Sequence, residues 1–471
     1  MALYIYNTLT KRKDEFIPVK EGEVSFYLCG PTVYDYFHIG NARAWIVFDV
    51  IRRYLEYLDY KVKFIVNLTD VDDKIINRAR EIGIHPNEVA EKYSRAFFED
   101  CKKLKINEAT FNPKATEHIK EMQDLISVLI EKGYAYELDG NVYFEVNKYS
   151  DYGQLSGKKV DELIAGYRVE VDERKRSPLD FALWKKAKEG EIYWESPWGK
   201  GRPGWHVECS AMSMKYLGES FDIHAGAEDL IFPHHENEIA QSRCSTKGDF
   251  AHYWIHIGFL KIGQEKMSKS LGNIFTAREI LDEFSPESVR LFFLQKHYKS
   301  PVEFNKGVLI DAENAIQRIK RCYFSLKEIL GNYEFKEDTI NNNNKIDLDF
   351  KIPILNGMND DFNSPIAIAK IFDLVKFVNE KIELGNFSND EIYLLKEAKN
   401  LFDEMNTFFD IVPVKFEKLE STKQLIDLLL KVRNELRKKK EYELADKIRD
   451  ELEKLGYVIE DGLYETKWME K

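Results

Sequence analysis

Apolar positions along the chain fall into short β-rich runs and longer stretches of helical period, and their alternation predicts the architecture. Residues 24–30 (VSFYLCG) and 62–67 (VKFIVN) read as strands with a helix-period segment at 42–58 between them. That is a β-α-β unit, whose parallel strands need cover on both faces. Further strand-like runs occur at 220–224 (SFDIH) and 254–260 (WIHIGFL), with helical stretches at 206–216 and 234–244 before and between them. Between these two α/β halves, YAYELDGNVYFEV at 134–146 predicts a hairpin turning at Asp139-Gly140. The expected fold is α/β: a Rossmann-type doubly wound parallel sheet split over 1–111 and 201–284, with 112–200 as a connective insertion.

After about residue 285 the strand signals fade and Gly and Pro become sparse. Apolar residues then recur at helical spacing through 307–331, 364–382, 389–409 and 421–455. This predicts an all-α C-terminal bundle, with a helical junction and bundle at 285–411 and a C-terminal extension at 412–471. The NNNN tract at 341–344 reads as a loop between helices. No internal repeat is evident.

Composition narrows the function classes. A chain of 471 residues with 44% hydrophobic and 32% charged residues has material for two or three soluble domains. No apolar run approaches the roughly 18 residues that a membrane span requires. The start, MALYIYNTLTKRKDEF, lacks the apolar core of a secretory signal. Five cysteines do not make a disulfide framework, so a reducing cytoplasm is the expected compartment. The net charge of −12 argues against a surface coated in phosphate-binding side chains. Residues 412–471 are nonetheless balanced, with 14 basic and 14 acidic side chains, and 431–449 carries eight basic against four acidic, a local +4. Such a segment is either a solvated helix face or a contact for a polyanion, and its composition weighs the two evenly.

Candidate chemistry begins at FHIGN, residues 37–41, where a strand gives way to a helix. A helix N-terminus offers free N–H groups and partial positive charge to an anion. Gly40 would let a nucleotide approach the backbone, and His38 and Asn41 can donate to phosphate oxygens. Alone, this pattern is more often a plain turn. KIGQEKMSKSLGN at 261–273 adds Lys266 and Lys269, cations able to neutralise a triphosphate as pyrophosphate departs. HIGN followed by KMSKS resembles the two hallmark motifs of class I aminoacyl-tRNA synthetases, usually HIGH and KMSKS; the last residue of the first motif is Asn41 here.

Candidate soft-metal ligands are Cys29, Cys209 (in GRPGWHVECSAMS), and His234 and Glu238 (in FPHHENEIAQS). The last two are i and i+4, on one face of a helix. Two thiolates, an imidazole and a carboxylate form a credible zinc set, but with no C-x-x-C the residues alone weigh metal and buried apolar thiols evenly. GRPGWHVECSAM, FPHHENEIAQS, NLTDVDDK and DFALWK are similar to the cysteinyl-tRNA synthetase family over most of the chain.

That resemblance implies the rest. One zinc per chain would be held by Cys29, Cys209, His234 and Glu238 and would bind the thiol of L-cysteine, rejecting serine without an editing site. ATP would arrive with Mg²⁺ and be served by His38, Lys266 and Lys269 as catalytic groups, with Gly40 and Asn41. Thr69, Trp205 and His224 match family positions around the cysteine side chain and metal, although each alone reads as structural. Asp229, in GAEDL, would face the amino group or ribose. The partner is tRNA(Cys), read partly by the helical C-terminal part, and the expected state is a cytoplasmic monomer. His235 and His256, with Cys101, Cys244 and Cys322, are assigned to packing or to support of the ligands.

Four protein ligands normally close a zinc site, so the metal would become five-coordinate or Glu238 would loosen to admit substrate. The family's glycine-rich run is HAGA here, and Ala225 and Ala227 tolerate positive φ poorly, which bears on backbone contacts to adenosine. Three rivals have distinct marks. A tRNA-independent cysteine ligase paralogue would lack the long region after 285. A non-catalytic RNA-binding relative would have lost the lysine motif or the ligands. A zinc protease would carry H-E-x-x-H, which HHENE resembles but does not match.

Overall fold

The computed structural model describes residues 2–158, 174–262, 265–266, 275–333, 347–385, 387–413, 419–461 and 466–470. The chain forms two compact units, residues 1–412 and 413–471.

The larger unit is built on a four-stranded, all-parallel sheet. Its strands are β1 (Glu23–Leu28), β2 (Lys61–Val66), β3 (Ser220–Ala227) and β4 (Phe250–Ile257), in the spatial order β4-β3-β1-β2. Helix α1 (Ile39–Tyr57) joins β1 to β2, while α2 (Trp205–Leu217) precedes β3 and α3 (Glu236–Ser245) leads to β4. The chain leaves β1 on one side to make β2 and returns on the other side as β3. That reversal opens a crevice beyond the carboxyl ends of β1 and β3, where such sheets hold ligands.

Both faces of the sheet are covered, and side-chain alternation sorts residues between them. Phe26 and Leu28 enter the core shared with α1, whereas Tyr27 and Cys29 enter the core shared with α2 and α3. Tyr27 is paired with His224 across the sheet. The alternation thus delivers Cys29 and His224 to one face.

The insertion contributes a helix, Ile119–Glu131, and an antiparallel sheet of Ala135–Leu138, Asn141–Phe144, Phe181–Lys186 and Gly201–Pro203. Asp139 and Gly140 both have positive φ, 52° and 82°, as a two-residue type I′ hairpin turn requires. Helices Lys306–Gly331, Ile352–Asn359, Ser364–Leu384 and Asn389–Phe409 extend the first core. They are bolted to α1 through buried ions. Arg290, fully buried, donates to Asp49 at 2.9 Å and to the Phe409 carbonyl at 2.9 Å. Arg53 spans Asp49 at 3.0 Å and Asp410 at 3.2 Å.

Several expectations shift. The run read as one strand at 254–260 is β4 followed by a separate short strand, Leu260–Ile262, which pairs in parallel with Val302–Glu303. The stretch of helical spacing over 421–455 forms two helices, Leu419–Lys438 and Tyr442–Lys454. Lys440 lies between them with φ of 64°, a left-handed residue that ends a right-handed helix. The second unit is also not all-helical: Tyr457–Asp461 and Thr466–Glu470 form an antiparallel pair over a small core of Ile426, Leu430, Leu452 and Ile459. The NNNN loop falls outside the described residues.

Candidate active site

Four chain segments converge at the crevice. The residue after β1 is Cys29, whose N–H donates to the carbonyl of Ala225 on β3 at 3.1 Å. Helix α2 supplies Cys209, and its Sγ lies 3.7 Å from Cys29 Sγ. The irregular segment 231–235 brings His234, and α3 brings Glu238. His234 Nε2 sits 3.0 Å from Glu238 Oε1, the i, i+4 relation expected of the pair. Glu238 Oε1 is 3.5 Å from Cys29 Sγ.

His224 and His235 complete a second group around the same two residues. His224 Nε2 lies 3.4 Å from Cys29 Sγ and 3.3 Å from Glu238 Oε2; His235 Nε2 lies 3.2 Å from Cys29 Sγ. Two overlapping quartets therefore exist, Cys29–Cys209–His234–Glu238 and Cys29–His224–His235–Glu238, each with its donor atoms within 4.8 Å of one another and every member buried. From the sequence, His235 is assigned to packing or to support of the ligands, and its Nε2 in fact lies against Cys29 Sγ. The segment is not a regular helix: Phe232, at φ −137° and ψ 130°, is extended, and both His234 and His235 face inward. The HH doublet itself was the only available signal.

Outer partners orient the rings. His234 Nδ1 meets His206 Nδ1 at 2.8 Å, and its ring stacks on Trp205 at 4.0 Å. His235 Nδ1 meets His256 Nε2 at 2.8 Å, and His256 Nδ1 meets Thr8 Oγ1 at 2.8 Å. His206 and Thr8 were not foreseen.

The cluster's electrostatics follow from burial and pairing. Burial opposes ionisation of Glu238, but the flanking His224 and His234 rings outweigh it and bring the carboxyl down to about 2. Burial likewise opposes charge on His234, yet Glu238 raises it to about 10. Burial would raise both thiols. Hydrogen bonds from Cys29 and His234 overcome this at Cys209 and lower it to about 6, while Cys29, beside Cys209 and Glu238, is held well above the ordinary thiol value. Two sulfurs, an imidazole nitrogen and a carboxylate oxygen converge within a buried pocket, where His224 Nδ1 has no hydrogen-bond partner. That donor set fits a metal ion.

Above the cluster opens a cleft of about 450 Å³, lined by Cys29, His38, Asn41, Trp205, Gly226 and Asp229 among others. His38 caps α1: its Nδ1 accepts from Asn41 N–H at 3.2 Å, and Asn41 Oδ1 accepts from His38 N–H at 3.4 Å. Gly40 is needed because a Cβ there would stand 2.9 Å from His38 Nδ1. Trp205 forms part of the wall and Asp229 lies exposed in the turn Glu228–Leu230. Thr69 is buried beneath, donating to Glu208 Oε2 at 2.8 Å and accepting from Asn67 at 3.4 Å; Asn67 Oδ1 is 3.7 Å from Cys209 Sγ.

Of the lysine motif, Lys266 ends the short strand Glu265–Lys266, antiparallel to Leu260–Ile262, and Lys269 lies outside the described residues. The chain that follows returns to the His38 turn. Ile39 N–H donates to the Phe275 carbonyl at 2.9 Å, and Ala277 N–H to the Phe37 carbonyl at 3.1 Å. The alanines of HAGA cause no strain: Ala225 is mid-strand and Ala227 has φ −78°. The glycine between them is required, because a Cβ on Gly226 would lie 2.8 Å from the His235 ring.

Comparison with known proteins gives a consistent result. Residues 15–314 match the family model of the class I (C) tRNA synthetase catalytic domain, 355–412 a DALR domain, and 423–468 a cysteinyl-tRNA ligase anticodon binding domain. The chain is 52% identical over 466 residues to a cysteine–tRNA ligase of Carboxydothermus hydrogenoformans, covering 98% of this chain and 99% of that protein. It is 50% identical over 474 residues to one of Pyrococcus horikoshii, covering 99% of each. Among solved structures, Mycobacterium tuberculosis methionyl-tRNA synthetase with methionyl-adenylate aligns with a TM-score of 0.63 at 14% identity, covering 86% of this chain and 94% of that one. The Agrobacterium radiobacter LeuRS–tRNA–LeuAMS ternary complex aligns at 0.61 and 12% identity, covering 84% and 85%. These two share the fold.

Proposed function

The chain belongs to the cysteinyl-tRNA synthetase family of class I and is a cysteine–tRNA ligase, and from that premise we propose how its residues divide the work. It activates L-cysteine with ATP to cysteinyl-adenylate and transfers it to the 3′ end of tRNA(Cys). Cys29, Cys209, His234 and Glu238 hold one zinc ion per chain, whose chemistry is to ligate a thiolate where a hydroxyl would be a poor ligand. The observation that carries this is the separation of 3.7 Å between the buried sulfurs of Cys209 and of Cys29, which lines the cleft. Zinc–sulfur bonds of about 2.3 Å in a tetrahedron put two sulfurs about 3.8 Å apart. His224, Trp205 and Thr69 shape the surroundings of the substrate side chain, and Asp229 contacts its amino group or the ribose.

The substrate carboxylate then points toward the His38 turn, where the N-terminus of α1 faces the phosphates of ATP, which enters with its magnesium. His38, with Gly40 and Asn41, orients the triphosphate. Lys266 and Lys269 neutralise charge as pyrophosphate leaves, so the step rests on positioning and electrostatics and needs no protein nucleophile. The 3′-terminal ribose attacks the mixed anhydride. Residues 355–412 and 423–468, matching the DALR and anticodon-binding models, support binding of tRNA and speak against a tRNA-independent paralogue. The enzyme acts as a cytoplasmic monomer; among the described residues no helix is long and apolar enough to cross a membrane.

Cysteine-dependent exchange of labelled pyrophosphate into ATP, run beside serine with and without a zinc chelator, tests the reading. Rapid exchange with cysteine alone, abolished by metal removal and restored by zinc, is the expected result. Equal exchange with serine, or exchange indifferent to metal, would refute the selective role of the cluster.

A further inference from the structure

Arg43 lies on the second turn of α1, five residues after His38, and is 1% exposed. A buried guanidinium is usually matched by a carboxylate. Arg43 instead faces main-chain carbonyls. One terminal nitrogen donates to Gly258 and to Phe259 at 3.2 Å; the other donates to His297 at 3.3 Å, Tyr298 at 3.0 Å and Ser300 at 2.6 Å. Burial lowers its pKa to about 10, opposed by the charge of Glu228, so it remains a cation at neutral pH.

The carbonyls it gathers belong to two segments that meet there. Residues 258–259 feed directly into the strand Leu260–Ile262, which turns back as Glu265–Lys266. Residues 297–300 lead into Val302–Glu303, the parallel partner of that strand. Gly258 N–H also donates to the Tyr298 carbonyl at 3.0 Å, and Val302 N–H to the Phe259 carbonyl at 2.9 Å. Leu260 lies against the turn itself, 3.6 Å from where a Cβ on Gly40 would stand. A single side chain of α1 thus ties together, besides these backbone bonds, the two segments that lead into the paired strands beside the helix that His38 caps.

We propose that Arg43 is a positioning residue for adenylation: it fixes the strand bearing Lys266 against the His38 turn so that both ends of the triphosphate site keep one spacing. The assignment rests on the reading of Lys266 as a phosphate-neutralising cation. Lysine cannot substitute, because a flexible ammonium has three donors and no planar fork to serve two carbonyl groups at once.

Pyrophosphate exchange by the full chain tests this in Arg43→Lys, Arg43→Met, Lys266→Met and the double variant Arg43→Lys/Lys266→Met. Folding is checked by thermal midpoint and by bound-zinc stoichiometry, and Arg43→Lys keeps the buried charge if methionine proves too disruptive. Arg43→Lys is expected to lose roughly 10–100-fold in kcat/KM for ATP, the scale of a small misplacement in an oriented site, with KM for cysteine unchanged. The double variant should be no worse than Lys266→Met, because one change acts through the other. ATP parameters at the parental level in both Arg43 variants, equal losses toward ATP and cysteine, or losses that multiply fully in the double variant would each overturn the assignment. Parental exchange by Lys266→Met would sink the phosphate reading, and the Arg43 assignment with it; a defect in Lys266→Met with none in Arg43→Lys would sink the Arg43 assignment alone.

Discussion

Cys29 and Cys209 are 180 residues apart in sequence, and their buried sulfurs are 3.7 Å apart, with Cys29 lining the cleft. Neither thiol is oxidised; all five cysteines are free. The spacing suits ligation of one ion far better than apolar packing, since thiols that merely fill a core have no need of a carboxylate and an imidazole beside them.

Cys209→Ser should therefore lower bound metal from one equivalent to well under half, and cut cysteine-dependent exchange by about two orders of magnitude or more. Cys101→Ala, a buried thiol on the opposite face, should keep its metal. Elemental analysis of both purified variants decides the matter, and a fully loaded Cys209→Ser protein would count against the cluster as a metal site.

His235 provides a finer test of the two overlapping quartets. If the ion sits among Cys29, Cys209, His234 and Glu238, then His235, held by His256 at 2.8 Å, acts only as a neighbour. Its replacement by Asn should then weaken metal affinity about 10–100-fold, as loss of an outer partner does, without abolishing stoichiometric binding. His234→Asn should abolish it. Competition with a chromogenic chelator measures both, and the reverse ranking would assign the ion to the His224–His235 group.

Gly40→Ala probes the nucleotide side. The added methyl would meet the His38 ring at 2.9 Å, so the ring must shift and give up its cap on Asn41 N–H, which should cost the fold the value of one helix cap, about 1 kcal/mol. Displacing His38 should nevertheless lower kcat/KM for ATP by roughly 10–100-fold. Steady-state exchange at varied ATP would reveal a parental value if His38 has no part in phosphate binding.

Asp410 gives a pH prediction remote from the cluster. Burial opposes its ionisation, but Arg290, Lys105 and Arg53 outweigh that and hold its carboxyl below the usual range. A depressed folded pKa means stabilisation that is present above the unfolded value near 3.9 and lost as pH falls through the folded value. Asp410 also occupies a left-handed position, φ 51°, which Asn tolerates. Asp410→Asn therefore isolates the charge. It should cost about 1–3 kcal/mol at pH 7, and the gap from the parent should close as pH drops below about 4. Urea midpoints at both pH values are the measurement; a gap independent of pH would contradict the ion-pair account.

Much of this was legible in the sequence for identifiable reasons. Parallel strands buried on both faces must be continuous apolar runs, and 24–30 and 62–67 stand out as such. Asp139-Gly140 demands a turn with two positive φ values. His234 and Glu238 obey helical spacing and meet. What escaped depends on long-range packing or on irregular backbone. His206 reaches His234 only because α2 lies beside the 231–235 segment, a fact of tertiary structure. His235 faces inward because the helix it leads into is buried on nearly every side, so no solvent face is left for it. The C-terminal hairpin was hidden because YVIED continues a charged, helix-period stretch, and its partner TKWME supplies the reason to be a strand only after they pair.

The order of the sheet also bears on how the molecule comes into being. Cys29 leaves the ribosome about 180 residues before Cys209, and β1 waits somewhat longer for β3. At typical synthesis rates of roughly 5–20 residues per second, a nascent chain spends roughly 10–40 s with its first thiol in place and its partners unmade. The cluster can close only once α3 has emerged, so a chain interrupted anywhere in the insertion carries a complete β-α-β unit and Cys29, but none of Cys209, His234 and Glu238.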